Sequence, residues 1–289
     1  LEQGHEVLAL DNLATGDWTN VPDHPKVTRI EQDACEPIRV EGPVERVMHM
    51  ASPASPKDFT RIPFEVLRVN SVGTWNCLEF AAEKGARFLF ASTSEVYGDP
   101  AVSPQPESYW GNVNPNGVRS VYDESKRFGE SVTMTFRRHR GVETRIVRYF
   151  NSFGPRMRLD DGRVVPTFVR QALLGEPLTV EGDGTQTRSF GYVDDSVRGT
   201  LLLLESEEPE PVNIGAEHEM TVLELAETVV RLTGSSSRIV FGPGAPDDPK
   251  QRRPDLTRAR TLLGYEAEVA VEEGLRRTIA WARGVLGLG

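Results

Sequence analysis

Short apolar runs separated by longer stretches of helical spacing fill the first half of the chain. Residues 5–10 (HEVLAL) form the first run and stop at Asp11-Asn12. Residues 26–30 (KVTRI) form the second, ending near Asp33, and residues 44–50, 87–91 and 144–150 complete a set of five. Runs this short, rich in β-branched residues and bounded by turn formers, predict strands. Between the third and fourth lies a helical pattern over residues 64–84, closed by Gly85. A second helix begins near Ser120, whose hydroxyl can cap free N–H groups, with Asp123 three residues on. Strands separated by helices imply a parallel, doubly wound α/β sheet with ligands at its carboxyl ends. Asp11, Asp33, Ala51-Ser52 and residues 92–98 (STSEVYG) all fall at such ends.

After Phe150 the elements shorten and Gly and Pro become frequent. Thr221 and Glu224 have capping-box spacing, Gly234 closes that helix, and a last helix covers about residues 271–283. The pattern predicts two units. Residues 1–155 with about 190–210 form the sheet domain. About 156–189 with 211–289 form a smaller α/β domain that holds the substrate.

Composition narrows the function. The net charge of −10 argues against general nucleic-acid binding, while leaving room for a local basic pocket. Apolar runs such as residues 201–204 are far too short for a membrane span, and residues 1–5 do not read as a signal peptide. Cys35 and Cys77 lack metal-like spacing, and none of the five histidines sits three or four residues from another. A cytoplasmic protein without a metal is expected.

Two motifs carry chemistry. In STSEVYG the carboxylate of Glu95 sits with three hydroxyls at the end of a buried strand, and a buried carboxylate needs a partner or a shifted pKa. In residues 120–126 (SVYDESK) Tyr122 and Lys126 are four apart on one helical face. A nearby ammonium favours the phenolate, so the pair can move a proton; the phenol's pKa is expected to fall.

Thr93, Tyr122 and Lys126, in this order, resemble the hydroxyl-Tyr-Lys constellation of the extended short-chain dehydrogenase/reductases that modify nucleotide sugars. The resemblance spans nearly the whole chain, through LDN (10–12), HMASPAS (49–55), RYFNSFGPRM (148–157), VVPTFVRQAL (164–173), GDGTQTRSFGYVDD (182–195), NIG (213–215) and RRPD (252–255). It implies a Rossmann-type sheet and NAD as cofactor. Tyr122 would be the base at the sugar 4-OH, and Lys126 would hold the ribose and tune the tyrosine. Asp11 with Asn12 would take the adenosine ribose, Asp33 and Ala34 the adenine, and Ala51 and Ser52 the phosphate and ribose.

Residues 93–95 (Thr-Ser-Glu) narrow the resemblance. The 4,6-dehydratases carry Thr-Asp-Glu, the acid serving a departing hydroxyl, and simple 4-epimerases have small residues at position 95. Keeping Glu95 while replacing the acid with Ser94 resembles the UDP-glucuronate decarboxylases, which make UDP-xylose through a 4-keto intermediate and return the hydride to C4. That resemblance implies that Glu95 orients the substrate carboxylate or manages the C5 proton. Ser94 and Thr93 would bond the sugar, and Arg252 or Arg253 would approach the reacting end. Arg188 is the candidate for the UDP diphosphate. Asn151, Val165, Glu181, Gln186 and Tyr192 are candidates for nucleotide and sugar, and Arg61 for the carboxylate. A homodimer through helices 64–84 and 121–138 is implied. A 4,6-dehydratase or 4-epimerase, and a non-catalytic nucleotide-sugar-binding subunit, remain alternatives.

One departure stands out. Members of that family open with a strand and a G-x-x-G-x-x-G turn that cradles the pyrophosphate. This chain opens at LEQGHEVLALDN, which looks like the end of the first helix running into the second strand. The first strand and glycine-rich turn, roughly 20 to 30 residues, are expected to be missing here although the native protein has them. Their loss would leave two inner sheet edges unpaired.

Overall fold

The computed structural model describes residues 1–244 and 248–288. The predicted strands form as β1 (Val7–Asp11), β2 (Val27–Glu31), β3 (Arg46–His49), β4 (Arg87–Thr93) and β5 (Thr144–Tyr149). Shorter strands follow: β6 (Ser152–Phe153), β7 (Leu178–Glu181), β8 (Thr187–Ser189), β9 (Gly191–Tyr192), β10 (Val212–Ile214), β11 (Glu219–Thr221), β12 (Ile239–Gly242) and β13 (Gln251–Arg252). The main sheet has the order β10-β5-β4-β3, with every pair parallel. β1 and β2 pair with each other alone, also in parallel. The inner edges of β1 and β3 are therefore unpaired, as the sequence led us to expect, and Val7, Leu8, Met48 and Met50 are exposed there. Leu10 of β1 and Val47 of β3 nevertheless pack into one apolar layer with Phe88, Phe90 and Leu78.

The segment predicted as one helix over 64–84 is more complex. A short helix α1 (Pro56–Arg61) precedes it, capped by Ser55. Then α2 (Pro63–Arg68) runs through a five-residue π turn (Val69–Gly73) into α3 (Thr74–Lys84), which ends at Gly85 in the left-handed conformation (φ 62°). π turns of this kind are frequent at functional sites. This one turns Asn70 wholly inward, where its amide donates to the Ser125 hydroxyl.

Helix α4 (Ser120–Arg140) carries the Tyr-x-x-x-Lys pair. The expected Ser120 cap is not made: Arg119 occupies the capping position without a side-chain bond, and Ser120 is the first helical residue. Arg119 already has helical backbone angles, and its carbonyl accepts from the Tyr122 and Asp123 N–H groups, so the chain winds before Ser120. α4 lies very close to β4, because Gly129 faces the Phe90 ring. A Cβ at 129 would stand 2.3 Å from the ring's Cζ.

The second unit packs α5 (Val164–Leu174), α7 (Val222–Thr233) and α9 (Val271–Val285) with β7 and β12 around Phe168, Leu178, Leu225 and Leu275. The Thr221/Glu224 capping box and the Gly234 stop form as predicted. Between α5 and α7 in the chain, α6 (Val193–Glu205) returns to the sheet. The predicted boundary shifts in two places. β10 joins the main sheet beside β5, and α8 (Thr257–Leu263), with Leu256 and Tyr265, packs against the sheet with α6. Both segments were assigned by sequence to the smaller unit. Their apolar residues face Leu89 and Val147, which leaves them no other core. No helix among the described residues is long and apolar enough to cross a membrane.

Substituting Gly129 with alanine overpacks the α4–β4 contact, since Phe90 is fully buried and has no room to yield. We expect a loss of about 1–3 kcal/mol, read by urea denaturation, together with lower activity because the same contact seats Lys126.

Candidate active site

Lys126 is buried beneath the end of β4. Its ammonium donates to the Ala91 carbonyl at 2.8 Å, lies 5.0 Å from the centre of the Phe90 ring and 5.7 Å from that of Tyr122. Burial pulls its pKa down to about 7, with Glu130 opposing in part. Tyr122 stacks on Phe59 of α1 with ring centres 4.8 Å apart, and its hydroxyl faces Thr93. Burial, and then the negative charge of Glu95, push the phenol up to about 12. This reverses the expected fall. A largely desolvated, half-neutral lysine is a weak source of positive potential, and Glu95 adds a negative one. Ionising Tyr122 therefore requires a further positive charge beside it.

Glu95 follows Thr93 in a 3-10 turn, and the Thr93 hydroxyl accepts from the Glu95 backbone N–H at 3.2 Å. The Glu95 carboxylate is gripped from two sides. Arg252 of β13 donates through both terminal nitrogens at 2.7 Å each, and Arg119 approaches at 2.8 Å. Burial would raise the Glu95 pKa, but the charges of Arg252 and Arg119 outweigh it and hold the carboxyl far below its ordinary range. Arg188 lies beside this cluster, buried and bonded to Asp248 at 2.8 Å; Asp248 is also 4.0 Å from Arg119. Three buried guanidinium groups thus converge on one buried and one half-exposed carboxylate. The Nε atoms of Arg119 and Arg252 are buried without hydrogen-bond partners. A site of this kind has spare positive charge and spare donors for an anionic ligand.

At the carboxyl ends of β1 to β3 a second set of groups gathers. The Asp11 carboxylate accepts from Leu13 N–H at 2.7 Å, and a Cβ at Gly16 would collide with it at 2.8 Å, so the loop closes tightly over that carboxylate. Asp33 accepts from Cys35 N–H at 2.8 Å. A cavity of about 370 Å³ opens beside Ser52, lined by Lys57, Arg61, Arg156, Arg158 and Arg163 against three carboxylates, Asp58, Asp160 and Asp161.

Residues 1–215 match the model of the NAD dependent epimerase/dehydratase family. The chain belongs to that family. Among its relatives is UDP-glucuronic acid decarboxylase 5 of Arabidopsis thaliana, 50% identical over 274 residues, covering 94% of this chain and 80% of the relative. Another is UDP-glucuronic acid decarboxylase 1 of Danio rerio, 49% identical over 281 residues, covering 96% and 67%. Among solved structures, a UDP-glucose 4-epimerase from Thermotoga maritima with UDP-glucose superposes with a TM-score of 0.91 at 31% identity, covering 99% of this chain and 93% of that one.

The family's cofactor is NAD, and the residues present fit a dinucleotide. Asp11 offers a carboxylate for ribose hydroxyls, with Asn12 next to it. Asp33 follows β2, and Ala34 next to it is buried. Five cations against three carboxylates suit a diphosphate, and Ser52 adds a hydroxyl. Ala51, half-buried, precedes it at the end of β3.

The other predicted residues scatter. Of the two candidate arginines, Arg252 reaches Glu95, whereas Arg253 takes its backbone N–H to Gln105 and leaves its Nε buried without a partner. Ser94 is buried beside Glu95, and Arg61 forks onto Asp58 while lining the cation-rich cavity. Asn151 holds a buried, unpartnered carbonyl oxygen. Gln186 bonds back to the Glu181 carbonyl, and Glu181 is exposed. Val165 and Tyr192 sit in the apolar core of the second unit, not at the charge cluster. Sequence reasoning missed Arg119, Asp248, Arg163 and Phe59. Arg119 had a signal, since it lies three residues before Tyr122 on the same helical face.

Replacing Glu95 with glutamine strips two buried guanidinium groups of their counter-charge. The expected cost is about 3–5 kcal/mol at pH 7. Because the folded pKa is depressed, the wild-type stabilisation is present above the ordinary carboxylate range and fades as pH falls toward about 2. Denaturation curves from pH 7 to 3 should therefore show the glutamine variant losing less across that window.

Proposed function

We propose that this chain is a UDP-glucuronate decarboxylase, retaining NAD and converting UDP-glucuronate to UDP-xylose. One observation carries the reading. A Tyr122/Lys126/Thr93 proton site adjoins a carboxylate, Glu95, that is itself pinned by two arginines. An epimerisation needs only the first half of that arrangement. A hexuronate, with a carboxylate two carbons from the oxidised centre, uses both. The roughly 50% identity to decarboxylases over most of the chain supports the same assignment.

The roles follow from the chemistry. NAD, when bound, accepts the C4 hydride, returns it later, and places a positive charge in the dry site. Tyr122 takes the 4-OH proton, with Thr93 orienting its oxygen and Lys126 holding the nicotinamide ribose. The resulting ketone is β to the C6 carboxylate. CO2 departs with its bonding pair delocalised into that carbonyl as an enolate, and C5 then takes a proton. Arg252 directs the departing carboxylate, Glu95 holds Arg252 in place for it, and Ser94 bonds the sugar. No hydroxyl leaves, so no acid is needed at position 94. Arg188, beside Arg252, with Asn151 and Arg253, is assigned to the UDP-sugar. Arg61 and Arg163 are assigned to the cation-rich cavity.

We also propose a homodimer, through α2, α3 and α4. These packed helices expose Phe64, Leu67, Trp75 and Phe128, an unusual amount of large apolar surface for a free face. The free thiols Cys35 and Cys77 suit a cytoplasmic setting.

With NAD supplied, the protein should release CO2 from UDP-glucuronate and leave a UDP-pentose. Tyr122→Phe should cut kcat by about 10²–10⁴ while UDP-xylose still binds. Conversion of UDP-glucose to its C4 epimer without any CO2 from UDP-glucuronate would overturn the assignment. Phe128→Glu should shift the sedimentation coefficient from dimer to monomer; a monomeric wild type would exclude the proposed assembly.

A further inference from the structure

Asp123 follows Tyr122 in the first turn of α4 and is 6% exposed. Its Oδ1 is buried and has no hydrogen-bond partner. An acidic residue in a first helical turn is normally ionised and favoured by the free N–H groups there. Here tertiary burial dominates. A carboxylate with a bare buried oxygen costs several kcal/mol, whereas the protonated acid needs fewer donors and can donate one bond itself. The charged groups facing it come from every neighbouring element: Glu95 from the turn after β4, Arg119 at the head of its own helix, Arg252 from β13, and Glu124 beside it. Burial, then the charge of Glu95, raise the Asp123 pKa to about 7, with the two arginines opposing.

Charge balance gives this placement a consequence. With Asp123 ionised, Glu95 and Asp123 neutralise Arg119 and Arg252, and Asp248 neutralises Arg188. A further carboxylate would then be buried without a counter-charge. With a proton on Asp123, the cluster carries one excess positive charge, matched to one incoming carboxylate. We propose that Asp123 takes up a proton when the carboxylate of a hexuronate enters this cluster, and so sets the pH range over which the site holds an acidic sugar. This rests on the functional reading above. Asp123 is a positioning residue here: it acts on the charge of the Glu95–arginine cluster.

Titration calorimetry on the holoenzyme tests it, with NADH in place of NAD so that the sugar is not oxidised. UDP-glucuronate is compared with UDP-xylose, which lacks the carboxylate and cancels the titration of Lys126. Between pH 7.5 and 8.5 the wild-type affinity for UDP-glucuronate should fall about tenfold more than that for UDP-xylose, as one linked proton requires. Two buffers of different ionisation enthalpy should report about one more proton taken up with UDP-glucuronate than with UDP-xylose. Asp123→Asn, close to the protonated acid in shape, should bind UDP-glucuronate with no such extra pH dependence. Equal pH dependence for the two ligands in the wild type, or an unchanged difference in the variant, would overturn the inference and leave the functional reading standing. Binding of neither ligand would overturn both.

Discussion

Charge held out of water must be matched, and in this protein the matching centres on Glu95. The guanidinium groups of Arg119 and Arg252 leave water only because that carboxylate meets them both at hydrogen-bond distance. The three come from different parts of the chain: the end of β4, the head of α4, and β13, which pairs with β8 of the smaller unit. Arg188 and Asp248 continue the cluster outward. The ion cluster therefore ties β4, α4 and β13 together. Shape follows charge, because each arginine can satisfy its fork only if the segments carrying it close over Glu95.

The proton-moving pair is set by a different constraint, the approach of α4 to β4. With glycine at 129, Phe90 fills the space a side chain would take. That approach lets Lys126 reach the Ala91 carbonyl, and the same burial pulls the lysine's pKa toward neutrality while lifting that of the tyrosine. The two groups are thus held in their uncharged forms more than either would be in water. Under the proposed function, a bound cation would tip the phenol, and proton removal would await an occupied cofactor cleft.

Much of this was readable in the sequence. Five strands, the capping box at Thr221 and the helix stops at Gly85 and Gly234 follow from local patterns, and the structure forms them near the expected residues. Tyr122, Lys126, Thr93 and Glu95 come together as their spacing and strand-end positions suggested. What local patterns could not give is tertiary. Ser120 has the chemistry of a cap, but Arg119, paired with Glu95 far back in the chain, takes the capping position instead. Val165 and Tyr192 fit a substrate motif by position, yet their apolar neighbours claim them for a core. The direction of the Tyr122 shift depends on how dry the site is, which no spacing rule reports. The difference between Arg252 and Arg253 lies in tertiary partners: Arg252 meets Glu95, whereas the Arg253 backbone N–H donates to Gln105.

The wide turn at Val69–Gly73 gives one stretch of chain two separate obligations. Upstream, α2 shows Phe64 and Leu67 to solvent; inside the turn, Asn70 is locked to Ser125 under the catalytic helix; downstream, α3 shows Trp75 outward. Restoring ordinary winding by deleting one residue there would rotate everything downstream by about 100°. Either Asn70 would leave its partner or Trp75 would swing off its face. Length in this stretch is accordingly under tighter control than residue identity: a swap can be absorbed, whereas an insertion or deletion would have to break either the interior contact or the outward one.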